Sequence, residues 1–350
     1  MRIIFVIGCF FLLPFSVQAQ LGGSHTYAFL NLTNSARVAS LGGRVNAIRD
    51  DDLNLPFHNP SLLNEDMHNH MVFNYVNYFI DINYGYAAYA RNVRKIGNLA
   101  GGIHYINYGE FVSADMTGNK TGTFNASELA LNLMWSRSYD SIFHFGVNLK
   151  PVYSSLERYN SFGIAIDAGM TYTSRDKLFA AAIVFRNIGL QLKTYHDQHR
   201  ESLPFEVQLG LSQKLRYAPF RFSFVFHNLQ KFDITYSKNN NGTGEIDPMT
   251  GEQVQKNKLE QFADQSMRHL IFGLEFLPFE NFHIRAGYNY QRRNELKIES
   301  KVSLVGFSCG FGIKISKFHL SYGRASYHLA GASNHFSISS NLSSFYKRNQ

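Results

Sequence analysis

Large apolar residues occupy every second position along most of the chain beyond residue 70. A period of two predicts β-strands, because the apolar positions of a helix recur every 3.6 residues. The faces opposite the aromatics carry Arg, Lys, His or Asn on strand after strand, which is typical of a strand with lipid on one side and a polar interior on the other. The clearest run places one set outward, Phe143, Phe145, Val147 and Leu149, and the other inward, His144, Gly146, Asn148 and Lys150.

We interpret each alternating run as one strand, which gives fourteen. Most are about nine to eleven residues long, the length that a tilted strand needs to cross a bilayer. The sequence therefore predicts an all-β fold, a transmembrane antiparallel β-barrel of about 14 strands. The strands are expected near residues 70–80, 82–91, 97–109, 124–135, 142–153, 161–172, 178–187, 205–215, 220–229, 269–277, 281–290, 302–313, 317–325 and 334–343.

The connections between these strands alternate in length. The even connections are short, whereas the longest odd ones span residues 110–123, 188–204, 230–268 and 291–301. Short periplasmic turns and long external loops are a feature of outer-membrane barrels. This rhythm predicts that the protein lies in the cell outer membrane with its long loops outside.

The first nineteen residues resemble a secretory signal peptide: one basic residue, an apolar run from Ile3 to Phe15, and small residues before Gln20. We expect cleavage before Gln20. The alternative, a lipoprotein site at Cys9, would shorten the apolar core to residues 3–7 and is less favoured. The predicted organisation is a signal peptide at 1–19, an N-terminal plug or hatch segment at 20–69, and a transmembrane barrel at 70–350.

Residues 20–69 do not alternate, and we expect them to fold into the lumen, since an empty barrel of this width would leak. Glycine pairs allow close backbone approach, and Asn before Pro is a favourable helix start. Arg37 would be enclosed by the wall and would need a carboxylate from the run Asp50–Asp52, from Asp167 or from Glu275. The plug residues predicted to matter are Gly22, Gly23, Arg37, Gly42, Gly43, Asn59 and Pro60.

Composition gives no sign of catalysis. The chain is 45% hydrophobic and 15% aromatic with a net charge of +8. Because a secreted chain has no access to nucleic acid, we expect the positive charge to face anionic lipid headgroups. The alternative is an excess of positive charge on a solvated surface that binds no partner. Cys309, the cysteine left after cleavage, is expected to be an apolar filler. No hydrolase, metalloprotease or phosphate-loop motif occurs. We therefore expect no enzyme activity, no cofactor and no metal.

Two possible metal ligands have simpler interpretations. His68 and His70 stand at a strand entry without further ligands nearby, so a polar boundary is favoured over a metal site. Three consecutive acidic residues at Asp50–Asp52 cannot easily converge on one calcium ion, and a capping role near Asn54 is favoured. The long 230–268 connection is either a mobile surface loop or a docking surface.

Short motifs in the N-terminal segment resemble the PorV and PorQ family of outer-membrane proteins, which is related to the long-chain fatty-acid transporter fold. They are Leu21-Gly22-Gly23, Tyr27-Ala28-Phe29-Leu30, Ser35-Ala36-Arg37, Leu41-Gly42-Gly43 and Asn59-Pro60. Ser61 stands where the family usually has alanine, which favours the PorQ branch. The resemblance implies a non-enzymatic component of the type IX protein secretion system, which attaches cargo to surface lipopolysaccharide. The implied partners are a PorZ-like surface protein, with PorU and PorV in the same complex.

A second hypothesis is a FadL-like transporter of a hydrophobic small molecule, and a barrel enzyme is the least favoured. A transporter should show a continuous apolar pocket against the plug and a lateral opening. A docking barrel should show a sealed lumen and structured outer loops.

Overall fold

A computed structural model describes residues 25–79, 81–196, 200–235, 258–296, 304–328 and 331–346. It confirms the predicted fold: fourteen antiparallel strands form one closed barrel in sequence order, with β1 beside β14. The strands are β1 (His70–Asn77), β2 (Asn83–Val93), β3 (Gly97–Ala114), β4 (Lys120–Ser138), β5 (Phe143–Leu156), β6 (Tyr159–Thr173), β7 (Phe179–Lys193), β8 (Glu206–Lys214), β9 (Phe220–Phe226), β10 (Leu270–Phe279), β11 (Phe282–Asn289), β12 (Phe307–Ile315), β13 (Phe318–His328) and β14 (Gly331–Asn341).

The two faces of the strands are those that the alternation predicts. On β9 and β10 the polar side chains Ser223 and Glu275 are buried inside, while Phe224 and Phe272 pack side by side on the outer wall. Cys309 also lies on the outer wall and is exposed there, so it fills no internal space. None of the described helices is long and apolar enough to cross a bilayer.

The barrel has two different ends. The even connections lie at one end, which we call the turn end, together with the start of β1 and the end of β14. The odd connections lie at the opposite end, which we call the loop end. The prediction of a loop at 110–123 is wrong. Strands β3 and β4, 18 and 19 residues long, continue through this segment as a β-hairpin. Both faces of this hairpin meet solvent beyond the barrel, so the apolar alternation that marks a strand disappears there although pairing continues.

Other loop-end boundaries also shift. The predicted loop 188–204 begins later, because β7 runs to Lys193. The predicted loop 291–301 begins as a short helix. The predicted loop 230–268 ends in a helix, and its residues 236–257 lie outside the described residues. The two helices are Lys258–Arg268 and Tyr290–Leu296, which we label α2 and α3 after the earlier helix α1 (Ala36–Ser40).

The N-terminal segment, described from residue 25 to 69 and called the plug segment below, is buried over most of its length. It consists of α1 and four 3-10 turns at Ala28–Asn31, Leu55–Phe57, Pro60–Leu62 and Glu65–Met67. Asn59 accepts a hydrogen bond from the Ser61 amide, so Asn59-Pro60 does start a helical turn, although a 3-10 one. Gly22, Gly23 and the predicted signal peptide lie outside the described residues.

Candidate functional site

The plug segment runs through the lumen from one end of the barrel to the other. Near the loop end, His25 bridges to Ser202 and the Tyr27 hydroxyl bonds to Ser161 on β6. At the turn end, the Asn69 amide donates to Ala90, and Leu342 donates to the Asn69 carbonyl. The lumen is therefore occupied along its length by this chain's own residues.

Glycines allow the plug to lie directly on the wall. A side chain at Gly146 would overlap the backbone of Pro60, and one at Gly169 would overlap the Asn59 side chain. From the plug side, Gly42 adopts φ of +93° and lies so close to Ile271 that a Cβ would overlap it. Gly42 thus needs both its left-handed conformation and its small size, as the glycine pair predicts.

Arg37 is the centre of a buried ion cluster. Its guanidinium donates to Glu275 at 2.9 Å and to Asp50 at 2.7 Å, with Asp52 at 3.2 Å. Arg37 therefore has the carboxylate partners expected of it, and they come from both the acidic run and the barrel wall. Separately, Asp52 accepts a hydrogen bond from the Asn54 backbone amide, which is the capping contact expected for the acidic run. Because Arg37 and Asp50 belong to the plug while Glu275 belongs to β10, the cluster ties plug to wall.

Two arginines of the wall complete this cluster. Arg221 donates to both Asp50 and Glu275 at 3.0 Å, and Arg285 donates to Glu275 at 3.0 Å. Three guanidinium groups thus face three carboxylates, and the cluster is formally neutral. A buried charge is tolerated when it is paired and hydrogen-bonded. We call these six residues, Arg37, Asp50, Asp52, Arg221, Glu275 and Arg285, the plug cluster.

Asp167, considered from sequence as a partner of Arg37, has a different one. Lys150 on β5 lies 2.6 Å from Asp167 on β6, and both side chains are buried. The Asn187 amide also donates to Asp167 at 2.7 Å. Sequence analysis missed this pair, although Lys150 and Asp167 both lie on faces predicted to point inward.

Two clefts open at the two ends of the plug. A cleft of about 230 Å³ at the loop end is bordered by Gly43, Arg44, His227 and Arg292. A second cleft of about 400 Å³ at the turn end is bordered by every plug-cluster residue except Glu275, and also by apolar residues such as Leu53 and Phe279. The apolar residues near the loop end, among them Tyr27, Phe29 and Leu30 of the plug, pack tightly against the wall.

The β3–β4 hairpin projects from the loop end as an ordered arm. Phe111 and Phe124 stack across it with ring centroids 5.2 Å apart. At its tip, Asp115 accepts hydrogen bonds from Thr117 and from the Asn119 amide, and these bonds lower the pKa of its carboxyl to about 2. The tip is therefore a fixed turn, and it presents the fully exposed Met116.

Helix α2 lies at the same end and also presents apolar groups. Leu259 and Phe262 are largely exposed, and Phe262 stacks on Phe232 with ring centroids 5.6 Å apart. The Tyr290 hydroxyl of α3 donates to Asp264 of α2, so the two helices support each other. Phe232 is also exposed, so the stacked pair and Leu259 give this end an apolar patch, and such patches mark interaction surfaces.

The histidines considered as metal ligands have other contacts. His68 accepts from the Asn92 amide, and the ring of His70 bonds to the Asp51 carbonyl. In the part of the chain that the structure describes, no group of three or more His, Cys, Asp or Glu is arranged to hold a metal ion.

No protein-family model matches the sequence, and no curated protein matches it. Solved structures do. The toluene transporter TbuX of Ralstonia pickettii aligns with a TM-score of 0.52 at 10% identity, over 89% of this chain and 99% of that one. The P. putida toluene transporter TodX aligns with a TM-score of 0.52 at 12% identity, over 89% of this chain and 99% of that one. A FadL homologue of Pseudomonas aeruginosa aligns with a TM-score of 0.49 at 9% identity, over 89% of this chain and 98% of that one.

At such identities the likeness is one of fold. The chain is a fourteen-strand barrel of the outer membrane with the same fold as TbuX and TodX, which are toluene transporters. Because outer-membrane barrels have short periplasmic turns and longer external loops, we expect the loop end to face the cell exterior.

Proposed function

We propose that this barrel holds a soluble protein at the cell surface and that the projecting β3–β4 hairpin and helix α2 form the docking surface. The observation that carries the proposal is the exposure of Phe111, Met116, Leu259 and Phe262 on ordered elements at the exterior end. An ordered apolar surface binds with a smaller entropy cost than a mobile loop. The plugged lumen agrees with a role at the outer face.

The resemblance in the plug motifs supports a particular class of partner. Ser35-Ala36-Arg37, Leu41-Gly42-Gly43 and Asn59-Pro60 are similar to those of the PorV and PorQ family, and Arg37, Gly42 and Asn59 all form plug contacts. We infer a PorQ-like component of the type IX secretion system. Its partner would be a PorZ-like surface protein in a complex with PorU and PorV that attaches cargo to lipopolysaccharide.

A second candidate is transport of a hydrophobic small molecule. The comparison with known structures favours this candidate, because the neighbours TbuX and TodX are toluene transporters. One fold serves many functions, however. A transport path would need an apolar route past the plug or through the wall. In the described residues each strand is hydrogen-bonded to both neighbours, and the two clefts are bordered by charged groups.

We expect the double substitution Phe111→Ser/Met116→Ser to release the surface partner while leaving the barrel folded. Interface apolar anchors commonly contribute more than about 1 kcal/mol each, so the pair should weaken retention about tenfold or more. The measurement is the ratio of the surface protein on cells to that in the medium. The matched control is Tyr139→Ser/Tyr217→Ser, which changes two largely exposed aromatic residues at the opposite end.

Uptake of labelled toluene by cells that lack the barrel separates the two candidates. Docking predicts normal uptake and loss of the surface protein. Impaired uptake with the surface protein fully retained would replace the docking proposal by transport.

A further inference from the structure

Three consecutive rows of side chains cross the lipid-facing wall where β1 closes onto β14. The middle row is aromatic: Phe311, Tyr322, Phe336 and Tyr75 pair in register from β12 to β1. The row towards the turn end has mostly smaller, aliphatic side chains: Ile313, Leu320, Ile338 and Phe73. Between them lies an open apolar groove of about 470 Å³.

The row towards the loop end is polar on β13, β14 and β1 and continues with Cys309 on β12. It contains Arg324, Asn334 and Asn77 in register. The Tyr322 hydroxyl donates to Asn334 at 2.8 Å, and the Tyr75 hydroxyl donates to Asn83 at 2.8 Å. Tyrosines with apolar rings towards lipid and hydroxyls towards polar groups form the girdle at a barrel's membrane interface. The groove therefore lies just beneath the outer headgroup layer.

Arg324 is a charged residue on an otherwise uncharged part of the lipid-facing wall. Its side chain is exposed, and the other described side chains on the lipid-facing side of β1 and β12–β14 carry no charge. It has no ion-pair partner within the described parts of the chain. A lipid-facing arginine is costly near the bilayer midplane and much less so at the interface. It lies two positions from Tyr322, about 7 Å along the strand.

We propose that this groove binds a phosphorylated lipid of the outer leaflet, with an acyl chain between the aromatic and aliphatic rows and the phosphate on Arg324. Guanidinium and phosphate form bidentate hydrogen bonds, which a neutral headgroup cannot offer. The proposal does not depend on the function proposed above. It assigns a lipid site to the closing seam of the barrel.

The test is titration of the delipidated full-length barrel in detergent, followed by native mass spectrometry. The probes are dioleoyl phosphatidate, dioleoylglycerol and inorganic phosphate. We expect phosphatidate to bind, dioleoylglycerol to bind at least tenfold more weakly, and inorganic phosphate not to bind. Arg324→Gln should weaken phosphatidate binding tenfold or more and leave dioleoylglycerol unchanged, whereas Leu320→Trp, which fills the groove, should weaken both lipids.

Matched controls come from β4, on another part of the lipid-facing wall. Arg137→Gln and Leu133→Trp change an exposed arginine and an exposed leucine there, and neither should alter binding. Phosphatidate affinity within twofold of wild type in Arg324→Gln would overturn the proposal. Equal binding of inorganic phosphate would assign Arg324 to free phosphate and also overturn it.

Discussion

Substituting Arg37 by methionine is expected to loosen the plug and to raise the conductance of the barrel in a planar bilayer. The change leaves Asp50, Asp52 and Glu275 facing only two guanidinium groups, so the neutral plug cluster gains a net negative charge. Breaking a buried ion pair by removing one partner costs about 3–5 kcal/mol. The measurements are single-channel conductance and the rate of protease cleavage within residues 25–69.

A double-mutant cycle tests whether charge balance is the cause. Arg37→Met/Glu275→Gln restores neutrality, so its loss of stability should be clearly smaller than the sum of the two single changes. Glu280→Gln is the control, because Glu280 lies in the exposed β10–β11 turn at the same end. Additive effects in the cycle, or wild-type conductance in Arg37→Met, would show that the cluster does not retain the plug.

The barrel itself could be predicted from sequence because its two environments impose a strict period of two. Wherever one face meets lipid and the other meets the plug, alternation marks the strand, as on β5 from Phe143 to Lys150. The prediction was wrong where that contrast ends. Residues 110–123 continue a strand pair, but both faces are in water, so pairing there depends on the tip turn at Asp115 rather than on apolar burial.

The plug contacts were only partly predictable. A charged residue in a segment without alternation, such as Arg37, identifies a need for partners, and the nearby acidic run supplies some of them. The choice of Glu275 rather than Asp167 depends on the angular position of β10 and β6 around the barrel, which a strand count alone does not give. Likewise, the wall glycines Gly146 and Gly169 look like ordinary inward positions until the plug is seen against them.

An arginine at Phe224 is expected to destabilise the folded barrel in lipid vesicles by about 2–4 kcal/mol. Phe224 lies on the lipid-facing side of β9 against Phe272, four residues from the turn-end start of the strand, about 13 Å along it. From this position the guanidinium must cross more hydrocarbon to reach the turn-end headgroups than it would from position 220. The measurement is the free energy of unfolding from urea titrations of the vesicle-inserted protein.

The matched control is Phe220→Arg, on the same face of the same strand but at its turn-end start. There the long side chain can extend to the interface, so the expected cost is about 0–1 kcal/mol. Ser223 is unsuitable as the comparison, because it is buried against Gly273 beside Leu41 of the plug, and a large side chain there would displace the plug for a different reason. Equal costs at positions 220 and 224 would contradict the depth assignment, while a negligible cost at both would mean that this face of β9 does not meet lipid.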